Sequence, residues 1–269
     1  MSPNRSRPLV IAHRGDSASA PEQTLAAFEQ AVVRGADMIE VDVRRALDGE
    51  LVLLHDARVD RTTDGGGRVD TLSFAELRQL DAGGWFAPSF AGERIPSMNE
   101  AFELAERSGV ALCLEAKGSS PAECASIAVA LARELLARGR LQVDVIASFD
   151  HAALAAAAYA APGLRTAPDR VPERGPTSGR ALVAQARAAG AAVIQHHHED
   201  LTAEAVAEVH RAGLAIWAWP PRTVADVTRM LELTVDGVMG DDVELIVSVL
   251  AHVTGSRRAS DTAPSSRTI

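Results

Sequence analysis

Two cysteines in 269 residues, Cys113 and Cys124, are too few for a disulfide framework, and their spacing matches no zinc motif. Cys113 lies in an apolar, strand-like run, where a thiol serves as a small core hydrophobe. A basic excess is lacking too. The formal net charge is −9, which argues against nucleic acid as a partner, because phosphate backbones select a basic surface. An anionic substrate would then need a local source of positive charge, such as a bound cation. No apolar run approaches the ~18 residues of a membrane span, and MSPNRSRPLVIAHRG holds no h-region of signal-peptide length. A cytoplasmic protein without stable membrane insertion is expected. No internal repeat is visible.

What is present is an alternation. Short β-type runs occur at Leu9–His13, Met38–Val43, Ala111–Lys117, Val143–Ser148, Leu164–Ala167, Ala192–Gln195, Leu214–Trp219 and Asp236–Met239. Ala/Leu-rich helical runs separate many of them: Leu25–Arg34, Ala122–Ala137, Arg180–Ala189, Ala203–Ala212 and Thr223–Leu233. Gly35, Gly139, Gly190 and Gly213 stand where helix C-caps prefer glycine. Strand–helix alternation signals parallel βαβ units, and eight strands in ~250 residues fit an α/β, TIM-type (β/α)₈ barrel over residues 8–252. A ninth run, Leu51–His55, follows Asp48-Gly49, a two-residue hairpin signal, and is read as an antiparallel partner of the second strand. Residues 56–100 break the rhythm with Gly65-Gly66-Gly67, Gly83-Gly84 and several aromatics, as a small insertion over one barrel mouth would. Residues 254–269, rich in Ser, Thr and Arg, read as a disordered C-terminal tail.

Barrel active sites lie at the C-terminal strand ends. Those ends carry His13-Arg14, then Glu40 and Asp42, then Glu115 and Lys117. Period two puts Glu40 and Asp42 on one face of their run, and Glu115 with Lys117 on one face of theirs. Three carboxylates at one mouth repel unless a cation lies between them, and all-oxygen ligation suits Mg²⁺ or Ca²⁺ (Mn²⁺ also fits), not zinc. The competing reading pairs Glu40 and Asp42 with Arg44 and Arg45 as surface charges, but a parallel barrel strand offers no solvent face for them. If Asp48-Gly49 are the central turn residues, the hairpin sets Leu47 opposite Glu50 and so Asp42 opposite His55. Two histidines thus reach the mouth, able to serve as general acid and base near neutral pH. Arg14 offers planar bidentate donors to phosphate and Lys117 a point charge.

The segment IAHRGDSASAPEQTLAAFEQAVVRGADMIEVDVRRALDGELVLLHD resembles the signature of the glycerophosphodiester phosphodiesterase family: HRG, a PENT-like step, E-x-D, then HD. The likeness continues through DRTTDGGGRVDTLSFAELRQLDAGGWF, LEAK, SFD and AIWAW, spanning about residues 9–245. The resemblance implies a TIM barrel with an insertion after the second strand, one divalent metal, and hydrolysis of a small glycerophosphodiester to glycerol 3-phosphate and an alcohol. By motif, His13 and His55 correspond to the catalytic histidines and Glu40, Asp42 and Glu115 to the metal ligands. Arg14 and Lys117 correspond to phosphate contacts, and Trp219 to an aromatic beside the substrate. A lysophospholipase-D-like or other phosphodiesterase on the same barrel is the alternative enzyme. A non-catalytic phosphate-binding module would lack a histidine or carboxylate, and none is missing here.

Three places depart from the pattern. Gln23 replaces an Asn and is read as a poorer N-cap; Pro220-Pro221 follow Trp219; Gly240-Asp241-Asp242-Val243 replaces a T-D-x-P-like motif. All three are expected to touch specificity more than chemistry. The run His196-His197-His198-Glu199-Asp200 follows another strand end; contact with the leaving alcohol or capture of a metal are the alternatives to the favoured reading, a solvated loop.

Overall fold

The structure, a computed structural model, describes residues 7–170 and 177–261. The first strand, β1 (Leu9–His13), runs through a loop into α1 (Leu25–Val33), which returns the chain to β2 (Met38–Arg45). A hairpin to β3 (Leu51–Leu53) opens the insertion, whose regular elements are two 3₁₀ turns and the short α2 (Phe74–Leu77). The helix α3 (Met98–Ser108) then leads back to the barrel at β4 (Ala111–Ala116). The βα rhythm resumes with α4 (Pro121–Ala137), β5 (Val145–Ser148), α5 (His151–Ala160), β6 (Thr166–Arg170) and α6 (Gly179–Ala188). It finishes with β7 (Val193–His197), α7 (Ala203–Arg211), β8 (Ala215–Trp219), α8 (Val224–Glu232), β9 (Gly237–Gly240) and α9 (Val243–Asp261). The last helix extends past Thr254, where a structureless tail was expected to start; residues 262–269 of that stretch lie outside the described residues. No helix among the described residues is long and apolar enough to cross a membrane.

The sheet order is β1-β9-β8-β7-β6-β5-β4-β2-β3, and β1 also pairs with β2. Eight parallel strands therefore close into a (β/α)₈ barrel, with β3 added antiparallel on β2. The expected glycine stops are real: Gly35, Gly139, Gly190 and Gly213 all take positive φ just after a helix. Inside the barrel the lower layers are apolar, built from Leu9, Ile11, Met38, Cys113, Val145, Ala167, Trp217 and Met239. Trp217 fills so much of this space that a Cβ on neighbouring Gly237 would stand 2.5 Å from its Cδ1. A larger core of aliphatic strand faces and helix stripes lies between barrel and helices. The insertion has its own small core of Ala46, Val52, Leu54, Val59, Val69, Leu77 and Ile95.

The hairpin register is one residue away from the expected one. Val43 lies opposite Leu53 and Arg45 opposite Leu51, and Leu54 N–H donates to Asp42 O at 3.0 Å. Asp42 therefore faces Leu54, not His55. The loop has three residues, Leu47-Asp48-Gly49, with Ala46 N–H bonded to Glu50 O at 2.9 Å and Gly49 at φ +96°. A turn closed by a left-handed glycine is the next commonest hairpin after the two-residue one, and the dipeptide Asp-Gly fits both. Because β3 ends at Leu53, His55 lies beyond the ladder.

Candidate active site

Period two along three of the barrel strands carries alternate residues from the apolar floor up to the mouth. Ile11 is succeeded by His13, Met38 by Glu40 and Asp42, and Cys113 by Glu115 and, just past the strand, Lys117. Register then sets His13 beside Glu40 and Asp42 beside Glu115. Single carboxylate oxygens of Glu40, Asp42 and Glu115 all lie within 4.8 Å of one another. Glu40 and Asp42 are 3% and 1% exposed, and Glu40 Oε1 has no hydrogen-bond partner. The surface-charge reading fails here, since Arg44 donates to His55 O at 2.9 and 2.6 Å and Arg45 reaches Ser126.

Cations are aimed at this cluster. Lys117 Nζ stands 2.7 Å from Glu115 Oε1 and 3.1 Å from Asp42 Oδ1, and Arg14 Nε 3.3 Å from Asp42 Oδ2. Arg14, held at φ +61°, also donates its N–H to Glu40 Oε2 at 3.0 Å. Burial raises the Glu40 carboxyl well above the ordinary range, and the Asp42 and Glu115 charges push it further. Burial likewise lifts Glu115, to about 7, although Lys117 opposes it. At Asp42 burial is outweighed by Lys117 and Arg14, and the carboxyl is held below its ordinary value. Burial thus disfavours the charge on two of the three acids. An oxygen-only set with an unpartnered buried oxygen suits a hard divalent cation.

Each histidine is oriented by its own carboxylate. His13 Nδ1 lies 2.6 Å from Asp241 Oδ1, and His55 Nδ1 2.6 Å from Asp56 Oδ1. Ser17 Oγ donates to His13 O at 3.0 Å and reaches Asp241 Oδ1 at 3.4 Å. Nδ1–H is thereby committed as a donor, and Nε2 is left to exchange protons. Burial lowers the His55 pKa, with the Asp42 charge pulling the other way, so the imidazole is predominantly neutral at pH 7. Asp42 and His55 thus interact despite the shifted register: the chain bends after β3, and Arg44 gathers the His55 carbonyl. Arg61, from the insertion, bridges Asp56 at 2.6 Å and Glu22 at 2.8 Å, and Glu22 in turn holds Arg14 at 3.1 Å.

Around the far rim the residues are aromatic. Lys117 Nζ sits 5.6 Å from the Phe149 ring, Phe149 meets Trp219 edge-on at 6.1 Å, and His197 meets Trp219 edge-on at 5.3 Å. The histidine run is not a solvated loop. His196 is 1% and His198 6% exposed, because β7 runs on to His197 and a 3₁₀ turn follows at once. Gln23 is not an N-cap either: Thr24 caps α1, and Gln23 Nε2 donates to Asp42 Oδ2 at 2.9 Å. Asp56, Asp241, Glu22 and Asp169 escaped the sequence reading. Asp56 adjoins His55 and Asp241 directly follows β9, so adjacency to a candidate histidine or to a strand end was the available signal.

A family model described as the glycerophosphoryl diester phosphodiesterase family matches residues 13–245. A glycerophosphodiester phosphodiesterase of Caldanaerobacter subterraneus is 34% identical over 242 residues, covering 90% of this chain and 97% of that protein. Among solved structures, an Oleispira antarctica phosphodiesterase in complex with the product sn-glycerol-3-phosphate superposes with TM-score 0.82 at 29% identity, covering 91% of this chain and 97% of its own. A glycerophosphodiester phosphodiesterase from Agrobacterium tumefaciens gives TM-score 0.76 at 26% identity, with coverages of 90% and 99%.

Proposed function

The chain belongs to the glycerophosphoryl diester phosphodiesterase family and is a phosphoric diester hydrolase; from that premise we propose that it cleaves small glycerophosphodiesters to glycerol 3-phosphate and an alcohol, with one divalent cation and two histidines. The observation that carries this reading is the convergence of Glu40, Asp42 and Glu115 beside two carboxylate-oriented imidazoles. Those three acids would hold Mg²⁺ or Ca²⁺ (or Mn²⁺), which when bound supplies Lewis-acid polarisation of a phosphoryl oxygen.

The chain's own groups do the rest. Arg14 and Lys117, freed from neutralising the acids, grip the remaining phosphate oxygens. His55, kept neutral by burial, takes a proton at Nε2 from the attacking water, and His13 delivers one to the departing alkoxide. The new P–O bond forms as the old ester bond breaks, and the two transfers conserve protons. Trp219 and Phe149 wall the mouth and exclude water from one side of the diester.

The test is a screen of the metal-reconstituted protein against glycerophosphocholine, glycerophosphoethanolamine, glycerophosphoglycerol, lysophosphatidylcholine and bis-p-nitrophenyl phosphate. The glycerol diesters should be the best substrates, and chelation should abolish turnover until Mg²⁺, Mn²⁺ or Ca²⁺ is restored. Lysophosphatidylcholine as best substrate, or full activity after exhaustive chelation, contradicts the reading.

A further inference from the structure

Asp169 is a fourth acid inside the barrel, and nothing in the mechanism above uses it. On β6 it stands two residues above Ala167, which belongs to the apolar floor, so its side chain shares the interior face. Register places it beside Gln195 on β7. It is 5% exposed, and its Oδ2 is buried without a hydrogen-bond partner. Its backbone is pinned, since His151 Nε2 bonds the Asp169 carbonyl at 2.9 Å.

The neighbours say which way it looks. The charges that act on it are those of Glu115, Lys117 and Asp42, the same groups that surround the proposed cation. Yet Asp169 stands outside the set of three oxygens close enough to share one ion. Between Glu115 and Asp169, β5 presents Ala147 level with Glu115, and Phe149 follows just past its end on the same alternation. Buried polar groups are ordinarily satisfied, so a carboxyl with an orphan oxygen on the interior face is a group awaiting a partner. An ionised carboxylate would repel a second phosphate oxygen, whereas a neutral donor suits the carboxyl in either protonation state. A hydroxyl suits both states, being donor and acceptor at once.

We propose that Asp169 is a specificity-determining residue that hydrogen-bonds a hydroxyl of the substrate's glycerol while the phosphate lies at the Glu40–Asp42–Glu115 cluster. The proposal rests on the glycerophosphodiester reading above. It explains why a chain would keep an orphan carboxyl in its core: the group costs stability in the free enzyme and gains its partner only with substrate.

The experiment compares wild type with Asp169→Ala and Asp169→Asn on glycerophosphocholine, its 1-deoxy and 2-deoxyglycerol analogues, and bis-p-nitrophenyl phosphate. For wild type, one deoxy analogue should lose about 10- to 100-fold in kcat/KM, the worth of one hydrogen bond to a buried group. In D169A that penalty should shrink below about 3-fold, because the hydroxyl has already lost its partner. Cleavage of bis-p-nitrophenyl phosphate, which has no glycerol, should change by less than about 3-fold. Ligand-free D169N should melt no lower than wild type, since it removes an unpaired buried acid. Equal deoxy penalties in wild type and D169A overturn the proposal. So does an equal loss on all diesters accompanied by a lower Tm for D169N, which marks a structural group. If wild type cleaves none of the glycerol diesters, the activity reading itself fails and this assignment falls with it.

Discussion

Nδ1 of His13 and Oδ1 of Asp241 stand 2.6 Å apart, joining the end of the first barrel strand to the residue after the last. A carboxylate at this distance fixes the tautomer and the orientation of the ring. Asp241→Asn should therefore lower kcat by about 10²-fold or more, the range for a positioned acid or base, with little change in KM. Steady-state kinetics on glycerophosphocholine decide it. A pure KM effect would show that Asp241 binds substrate instead.

Cation binding should release protons. In the ion-free site burial holds Glu115 near 7 and Glu40 well above its ordinary range, whereas ligation requires both ionised. Affinity should accordingly rise with pH between about 5 and 8, by up to ~10-fold per unit for each proton displaced. Calorimetry of Mg²⁺ or Ca²⁺ binding in two buffers of different ionisation enthalpy counts those protons. A pH-independent affinity would speak against these ligands.

Acid should loosen the insertion's tie to the mouth. At Asp56 burial is outweighed by hydrogen bonds from Arg61 and His55, which bring its carboxyl down to about 2. A carboxylate depressed in the folded state stabilises it above the unfolded value of ~3.9, and that contribution disappears as pH falls towards 2. Urea midpoints measured from pH 6 to pH 2 should decline more steeply in wild type than in Asp56→Asn. Parallel curves would mean the Arg61–Asp56 pair contributes nothing.

The floor of the barrel should resist enlargement. A Cβ at Gly237 would come within 2.5 Å of Trp217, itself fully buried. Gly237→Ala should cost about 1–3 kcal/mol, the usual penalty of overpacking, visible as a lowered Tm. An unchanged Tm would show that the indole can step aside.

Much of this architecture is legible without coordinates, for identifiable reasons. Parallel strands buried on both faces leave unbroken apolar runs, so Glu40, Asp42, Glu115 and Lys117 stand out as exceptions within them. Helix ends are marked by glycine, and those marks hold. Where physics leaves two answers the reading goes astray. Asp48-Gly49 suits a two-residue or a three-residue loop, and the choice shifts every pair along the ladder. α5, nearly all alanine, has no polar face for periodicity to reveal. Asp169 was hidden by Pro168, which reads as the end of a strand although β6 continues through it to Arg170.

Closure of the barrel through β1 and β9 has a consequence in time. His13 and Asp241 are 228 residues apart, and synthesis proceeds at about 5–20 residues per second, so roughly 10–50 s pass between the appearance of one and of the other. Throughout that interval the β9-facing edge of β1 has no partner, leaving backbone groups open to wrong pairings. The histidine's carboxylate partner arrives with the strand that seals this edge. A growing chain therefore gains its oriented acid–base pair only as its last exposed strand edge disappears, and a ribosome-bound fragment ending before Asp241 should be both sticky and inert.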